Sequence, residues 1–306
     1  MEILKSLNQI SRDNFYLSIG NFDGVHLGHQ YVLDYIKRQC RKNQTKLAII
    51  TFVPHPKEIL EGKQRFLLCD YESRRLYLEK MGVDYVVEID FHRDFSTIGP
   101  ETFLQNDIFC TNQIKKIFLG HDFAFGKNKS GDQNIVVSEC KKKNIEVEIM
   151  KRFLVNKEKV SSSIIRQYLS DGNIKKSNLL LGRTYEIIGN VVKGAMRGRT
   201  LGFPTANLQV LDVMQIPCNG VYITKAYYQD QEYLSLTSIG YNPTFNADKK
   251  DQTIEVYLLN FDKDIYGETL SVHFIDKIRN EIKFKTKEDL ITQIKNDVLY
   301  LHQYFS

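Results

Sequence analysis

Two histidines three residues apart, His26 and His29, follow a glycine-rich turn in Phe15-Tyr-Leu-Ser-Ile-Gly-Asn-Phe-Asp-Gly-Val-His-Leu-Gly-His29. On a helix that spacing puts both imidazoles on one face, where each can donate a hydrogen bond to the same group. The chemistry that suits them is stabilisation of charge on the α-phosphate of a nucleotide as pyrophosphate leaves. Gly20, Gly24 and Gly28 let a polyphosphate come close, and Asn21, Phe22 and Asp23 complete the turn. Further along, Gly189, Gly194, Gly198 and Gly202 alternate with Lys193, Arg197 and Arg199, the composition of a loop that binds anions through backbone amides and cationic side chains. Thr205 and Asn207 offer hard oxygens two residues apart on an extended segment, suited to Mg²⁺ and phosphate. Glu255 alternates with the apolar Ile254, Val256 and Leu258, so it shares the opposite strand face with Tyr257. A carboxylate placed there can take a proton from an alcohol attacking a γ-phosphate.

These residues need elements to hold them. Phe15 to Ile19 reads as a buried strand, Gly20 to Gly24 as a turn, and the chain from Leu27 onward as a helix whose start offers backbone N–H groups and a positive dipole end. Lys46 to Val53 is a strand stopped by Pro54-His55-Pro56. A helix over about 71–81, a strand from Tyr85 to Ile89, a helix over about 100–110, a strand from Ile114 to Leu119, a helix over about 132–143 and a strand from Ile145 to Met150 repeat the rhythm. Helices alternating with short buried strands predict a doubly wound parallel sheet, with ligands at the carboxyl ends of its strands. The loop Gly120-His-Asp-Phe-Ala-Phe-Gly-Lys-Asn-Lys-Ser-Gly131, with Asp122 and Gly126, leaves one such end. Ser161, Ser162 and Ser163 precede an apolar run as helix caps, and Arg166 follows within one turn, so that hydroxyls and a guanidinium can meet a phosphate.

After residue 182 the pattern changes to short strands: Tyr185 to Val192, Val221 to Tyr228, Tyr233 to Ser238, Thr253 to Leu259 and Leu270 to Ile275. They predict an all-β module, a small barrel, closed by a helix from about Lys287 to Tyr304. The expected domains are 1–182 and 183–306.

The 306 residues are enough for two cores, and 42% apolar with 26% charged residues is ordinary for a soluble globular chain. No apolar run reaches the ~20 residues of a membrane span and no signal peptide is visible, so a cytoplasmic location is expected. The five cysteines form no Cys-x-x-Cys pair and read as free thiols. A net charge of +5 without a basic stripe suits small anionic substrates and gives no sign of a nucleic-acid partner.

The first motif, Gly20-Asn-Phe-Asp-Gly-Val-His-Leu-Gly-His29, resembles the His-x-Gly-His signature of nucleotidyltransferases. More narrowly, the chain resembles the bifunctional bacterial riboflavin kinase and FMN adenylyltransferase family over about residues 15–304. Thr51-Phe-Val-Pro-His-Pro56 matches that family's Phe-x-Pro-His-Pro stretch. The resemblance implies that Phe52, His55 and Pro56 lie near the flavin, with Phe52 packing on the isoalloxazine ring. Gly120 to Gly126 matches Gly-x-Asp-Phe-x-Phe-Gly, with Ala124 where the family often has Arg. Ser161 or Ser162, with Ser163, Ile165 and Arg166, matches Ser-Ser-Thr-x-Ile-Arg, Ser standing for Thr, implying a seat for the leaving pyrophosphate. Gly189 to Leu208, ending in Gly202-Phe-Pro204-Thr-Ala-Asn207, matches the riboflavin kinase signature without a break. Glu255 stands at the family's catalytic glutamate, with Tyr257 where His is common. Arg279 matches an element flanking the flavin, and Ser238 replaces an Asn.

The resemblance implies a Rossmann-like nucleotidyltransferase domain followed by a riboflavin kinase barrel. The barrel would phosphorylate riboflavin with ATP to FMN, with Mg²⁺ held at Thr205 and Asn207. The first domain would adenylylate FMN to FAD with release of pyrophosphate. A monomer or weak homo-oligomer acting on riboflavin, FMN and ATP, with no nucleic-acid or membrane partner, is expected. Two other readings stay open: only one module is active, or both bind flavin without turnover as a regulator.

Overall fold

The computed structural model describes residues 1–62, 65–194, 198, 201–241 and 252–306. Its contacts divide the chain into two compact units, Met1–Gln64 with Cys69–Ser162, and Arg65–Leu68 with Ser163–Ser306.

In the first unit six strands, β1 (Glu2–Leu4), β2 (Phe15–Ile19), β3 (Lys46–Val53), β4 (Tyr85–Asp90), β5 (Ile114–Gly120) and β6 (Glu146–Met150), form one sheet in the order β1-β4-β3-β2-β5-β6. Every neighbouring pair is parallel. Strands covered on both faces must be apolar on both, and all five residues of β2 are buried. Phe15, Leu17 and Ile19 join a core on one face of the sheet, while Tyr16 joins the core on the other. The helices α1 (Leu27–Asn43), α2 (Pro56–Glu61), α3 (Tyr71–Lys80), α4 (Pro100–Phe103) and α5 (Gln133–Lys142) alternate with the strands. Helix α1 seals its face with Leu33, Ile36 and Cys40, a stripe at helical spacing. The expected helix over 100–110 is α4 followed by a π turn over Leu104–Ile108. A small antiparallel ribbon, β7 (Leu154–Val155) with β8 (Glu158–Lys159), was not expected. The chain moves from β2 to β3 and β4 on one side and then crosses to β5 on the other. The strand order therefore reverses at β2, and the loops after β2, β3 and β5 gather at the switch point where α/β sheets bind ligands.

The second unit is a closed antiparallel barrel of β9 (Tyr185–Val192), β10 (Ala206–Gln209), β11 (Gly220–Tyr228), β12 (Gln231–Tyr241), β13 (Gln252–Leu258) and β14 (Thr269–Arg279), ordered β10-β13-β12-β11-β14-β9. The strand β10 is too short, at four residues, to stand out by alternation. Interior positions alternate as the pleat requires: Ile254, Val256 and Leu258 are buried, while Glu255 and Tyr257 face outward. The C-terminal helix α8 (Lys287–Phe305) packs Leu301, Val298 and Tyr304 against Ile223, Leu236 and Tyr257 on the outer face of the barrel. Two further helices, α6 (Ser162–Ser170) and α7 (Ile174–Leu181), precede β9. From Ser163 onward they belong to this unit because they bond to the barrel. The Asn178 amide donates to the Phe274 carbonyl at 2.9 Å and accepts from the Tyr185 N–H at 2.7 Å, and the Cys218 N–H reaches the Leu169 carbonyl. Contacts therefore divide the chain at Ser162/Ser163, ahead of residue 182.

Candidate active sites

The turn after β2 takes a backbone path that most side chains avoid: Phe22 has φ 50°, Gly24 φ 77° and Val25 φ 37°. Four side chains hold its carbonyls. Asn21 O accepts from Thr51 Oγ1 at 3.1 Å and from Arg74 Nη1 at 3.2 Å. Asp23 O accepts from Ser162 Oγ at 3.0 Å, and Val25 O from Gln30 Nε2 at 2.8 Å. Asp23 itself is buried.

His26 is the N-cap of α1, its Nδ1 accepting the His29 N–H at 3.3 Å. A ring nitrogen that accepts carries no proton, so the neutral ring holds its proton on Nε2. The two imidazoles stack at 3.7 Å between centroids and 12° between planes, and Phe22 closes on His29 at 5.2 Å. Gly28 packs tightly beneath them, since a Cβ there would lie 3.2 Å from the His26 ring and the ring would have to give by a few tenths of an ångström; Gly20 stands beside the Phe22 ring. The structure thus brings His26, His29 and the turn together.

At the end of β3, His55 caps α2, accepting the Lys57 N–H at 3.0 Å, and its own N–H donates to Tyr71 Oη at 2.7 Å. Pro56 opens α2 and the Val53–Pro54 peptide is cis. Phe52 joins an aromatic cluster with Phe91 at 5.8 Å, Phe95 at 6.2 Å and Phe103 at 6.4 Å. Phe103 meets Phe125 of the loop after β5, which stacks on Phe123 at 5.2 Å. Gly126 turns that loop at φ 70°, against Pro100. Asp122 points elsewhere: Lys159 reaches it at 3.2 Å. Burial opposes its ionisation, but Lys159 and His121 hold its carboxyl below the ordinary value.

Ser163 and Arg166 belong to the second unit, and Ser162 to the first. Arg166 Nε donates to the Phe66 carbonyl at 2.6 Å, its guanidinium 5.7 Å from the Phe66 ring centre.

The barrel carries a second centre. Antiparallel register sets Glu255 directly opposite Asn207 on β10 and opposite Ser238 on β12. Thr205 Oγ1 donates to Glu255 Oε2 at 3.4 Å. The glycine loop lies against the same residues: a Cβ on Gly194 would collide with the Asn207 side-chain amide, and one on Gly198 would come 3.1 Å from Thr205 Oγ1. A Cβ on Gly189 would meet the Gln209 carbonyl where β9 and β10 close the barrel, and Gly202 needs its positive φ of 84°. Lys193 is exposed; Arg199 and Arg197 lie outside the described residues, as do residues 242–245 of the Ser238 motif. Pro204 and Tyr257 line a cavity of about 440 Å³ with Leu258, Asn260, Phe261 and Asp262. Arg279 is turned to the C-terminal helix, its Nε 3.1 Å and its Nη2 2.8 Å from the buried Asp297, which also accepts from Gln293.

Sequence reading did not single out Arg74, Arg75, Glu88 or Asp297. One signal was present: a glutamate in Tyr85-Val-Val-Glu-Ile-Asp90, an otherwise apolar parallel strand, needs a buried partner. Glu88 is 1% exposed. Arg75 grips it at 2.9 and 2.5 Å, and Arg74 lies at 3.5 Å.

With that geometry, similarity to known proteins can be weighed. The FAD synthetase family model matches residues 8–164 and the riboflavin kinase model residues 181–305. A bifunctional riboflavin kinase/FMN adenylyltransferase of Buchnera aphidicola subsp. Schizaphis graminum is 34% identical over 100% of this chain and 99% of its own. The Listeria monocytogenes enzyme of the same name is 35% identical over 93% of this chain and 90% of its own. A crystal structure described as a macrolide-efflux protein from Streptococcus pneumoniae superposes with a TM-score of 0.85 at 33% identity, covering 98% of both chains. Among the described residues here, no helix is long and apolar enough to cross a membrane. The two matched domains and the full-length relatives make this chain a member of the bifunctional riboflavin kinase/FMN adenylyltransferase family.

Proposed function

We propose that the chain converts riboflavin to FAD in two ATP-consuming steps, phosphorylation in the barrel and adenylylation in the parallel-sheet unit. The observation that carries this reading is the facing pair Glu255 and Asn207, with Thr205 bonded to the same carboxylate under the glycine loop. In the first step Glu255 takes the proton of the ribityl primary alcohol as its oxygen attacks the γ-phosphorus of ATP, giving FMN and ADP. Thr205, Asn207 and Lys193 face the phosphates, and Gly189, Gly194 and Gly202 let the loop close over them. Pro204 and Tyr257 wall the adjoining cavity.

Among the described residues no three His, Cys, Asp or Glu side chains converge as a metal cluster. A magnesium ion fits the oxygens of Thr205 and Asn207 together with nucleotide phosphates, the hard, incomplete protein set that Mg²⁺ accepts. When bound there it supplies neutralisation of phosphate charge.

In the second step the FMN phosphate, already an anion, attacks the α-phosphorus of ATP and pyrophosphate leaves. His26, through Nε2–H, and His29 stabilise charge on the α-phosphoryl oxygens, and the start of α1 adds its dipole. Phe52 and the cluster behind it offer the apolar wall a flavin needs. The assignment built on this unit's own geometry rests on the histidines and the turn. We also place the functional boundary at residue 182, within two residues of where the riboflavin kinase match begins at 181, and the reactions in the cytoplasm by a monomer or weak homo-oligomer.

The test is one incubation with riboflavin, ATP and Mg²⁺, flavins resolved by chromatography over time. FMN is expected to rise first and FAD to follow. His29→Ala is expected to accumulate FMN without FAD, and Glu255→Gln to form FAD only when FMN is supplied, with phosphorylation slowed about 100-fold or more. Loss of both products in either variant would rule out two separate sites.

A further inference from the structure

We propose that Arg74 is a positioning residue for adenylyl transfer, fixing the glycine turn to the flavin-side end of β3 through two backbone carbonyls; this rests on the adenylyltransferase reading above. Arg74 is 2% exposed. One of its nitrogens, Nη1, donates to Asn21 O at 3.2 Å and to Phe52 O at 3.5 Å, while Nη2 meets Glu88 at 3.5 Å. The guanidinium plane rests 4.9 Å from the Tyr71 ring centre. One side chain of α3 thereby ties together the turn after β2, the exit of β3, and β4.

A buried guanidinium is costly to desolvate unless its donors are used, and most buried cations are avoided altogether. Here Nη1 goes to the Asn21 and Phe52 carbonyls and Nη2 to Glu88, while the buried Nε makes no hydrogen bond; Thr51 Oγ1 shares the Asn21 carbonyl. The turn needs outside anchors because Phe22 and Val25, neither of them glycine, adopt positive φ. In a trans peptide the C=O and N–H point in opposite directions. Drawing the Asn21 carbonyl toward Arg74 and Thr51 turns the Phe22 N–H to the opposite side of that peptide and fixes its direction. The same anchor sets the height of Phe22, which closes on His29. Because Arg74 also holds the Phe52 carbonyl, the phosphate-binding turn and the apolar wall proposed for the flavin are referenced to one rigid group. That is what alignment of two substrates demands.

Lysine at this position keeps a positive charge beside Glu88 but cannot present the planar fork to two carbonyls and a carboxylate. Thr51→Val removes the second donor to Asn21 O and leaves every charge in place. For Arg74→Lys and Thr51→Val, kcat for FAD formation from FMN and ATP is expected to fall about tenfold or more. The KM for FMN and the rate of riboflavin phosphorylation are expected to stay near wild type. Because both act through one carbonyl, the double variant is expected to lose much less than the product of the two single losses. Melting temperatures are measured alongside. A Thr51→Val chain with wild-type kcat for FAD formation, whatever its melting temperature, would overturn the proposal, as would losses that multiply in the double variant. Should Arg74→Lys fail to fold, Thr51→Val carries the test alone. A wild-type chain that makes no FAD would instead overturn the adenylyltransferase reading itself.

Discussion

Glu88 sits in the middle of β4 with an arginine on either side, and its protonation is linked to folding. Burial works against its charge, but the two-point contact from Arg75 and the nearby Arg74 outweigh it, holding the carboxyl below its ordinary value of 4.5. A folded-state value below the unfolded one means the unfolded chain binds the proton more readily, so this contribution is complete above pH 4.5. It is lost as pH falls through the lowered folded value. Glu88→Gln is therefore expected to cost about 3 kcal/mol near neutrality, since it leaves Arg74 buried beside a neutral group. The gap to wild type is expected to narrow below pH 4.5, as read from urea unfolding at a series of pH values. A gap that stays constant down to pH 3 would contradict an ionised Glu88. At this scale the sequence was informative about histidines and silent about Arg74 and Arg75. His26 and His29 announce themselves because helical spacing is local. Arg74 does not, because two of its partners are backbone carbonyls, which any residue type supplies. Arg279 matched a motif, and what the motif did not carry is its partner, since its guanidinium is engaged by Asp297 of the C-terminal helix.

Among elements, the glycine loop and β10 act as one piece. Gly194 presses its backbone against the Asn207 side chain, and Asn207 faces Glu255 across the β10–β13 ladder. Gly194→Ala must push Asn207 aside, so riboflavin phosphorylation is expected to fall at least tenfold while adenylylation of supplied FMN is retained. Comparing the two initial rates in one preparation checks it; equal rates to wild type in both assays would show that the loop tolerates a side chain there. The parallel sheet, the later barrel strands and the last helix could be read from periodicity, because their apolar residues recur at intervals of two or about 3.6 over many positions. The convergence of Thr205 on Glu255 could not, since it joins positions 50 residues apart through strand register. Nor could β10, whose four residues give alternation no room. The π turn after α4 and the packing of α7 on the barrel are likewise tertiary outcomes, fixed by contacts such as Asn178 to Phe274.

For the whole molecule, His26 and His29 belong to one unit and Thr205, Asn207 and Glu255 to the other, and FMN is the product of the kinase step and the substrate of the adenylylation. A chain carrying His29→Ala and a second carrying Glu255→Gln each lack one step. Mixed with riboflavin, ATP and Mg²⁺, they are expected to restore FAD formation through FMN released into solution, after a lag that shortens as protein concentration rises. No FAD from the mixture, with each variant competent in its remaining step, would mean that FMN does not pass between molecules.

Ring closure of the barrel has a consequence for encounters between copies of the chain. Wherever a strand of the closed cylinder is laddered on both sides, it cannot accept a β-strand from a neighbour without first breaking a ladder; only beside the short β10 are the flanking strands β9 and β13 paired over part of their length. Among the described residues, strands with one wholly unpaired rim belong to the first unit: the outermost strands β1 and β6, and the short β7–β8 ribbon. Of these, β1 is only three residues long and β6 carries Glu146 and Glu148, so the places open to strand exchange or templated aggregation are brief or charged.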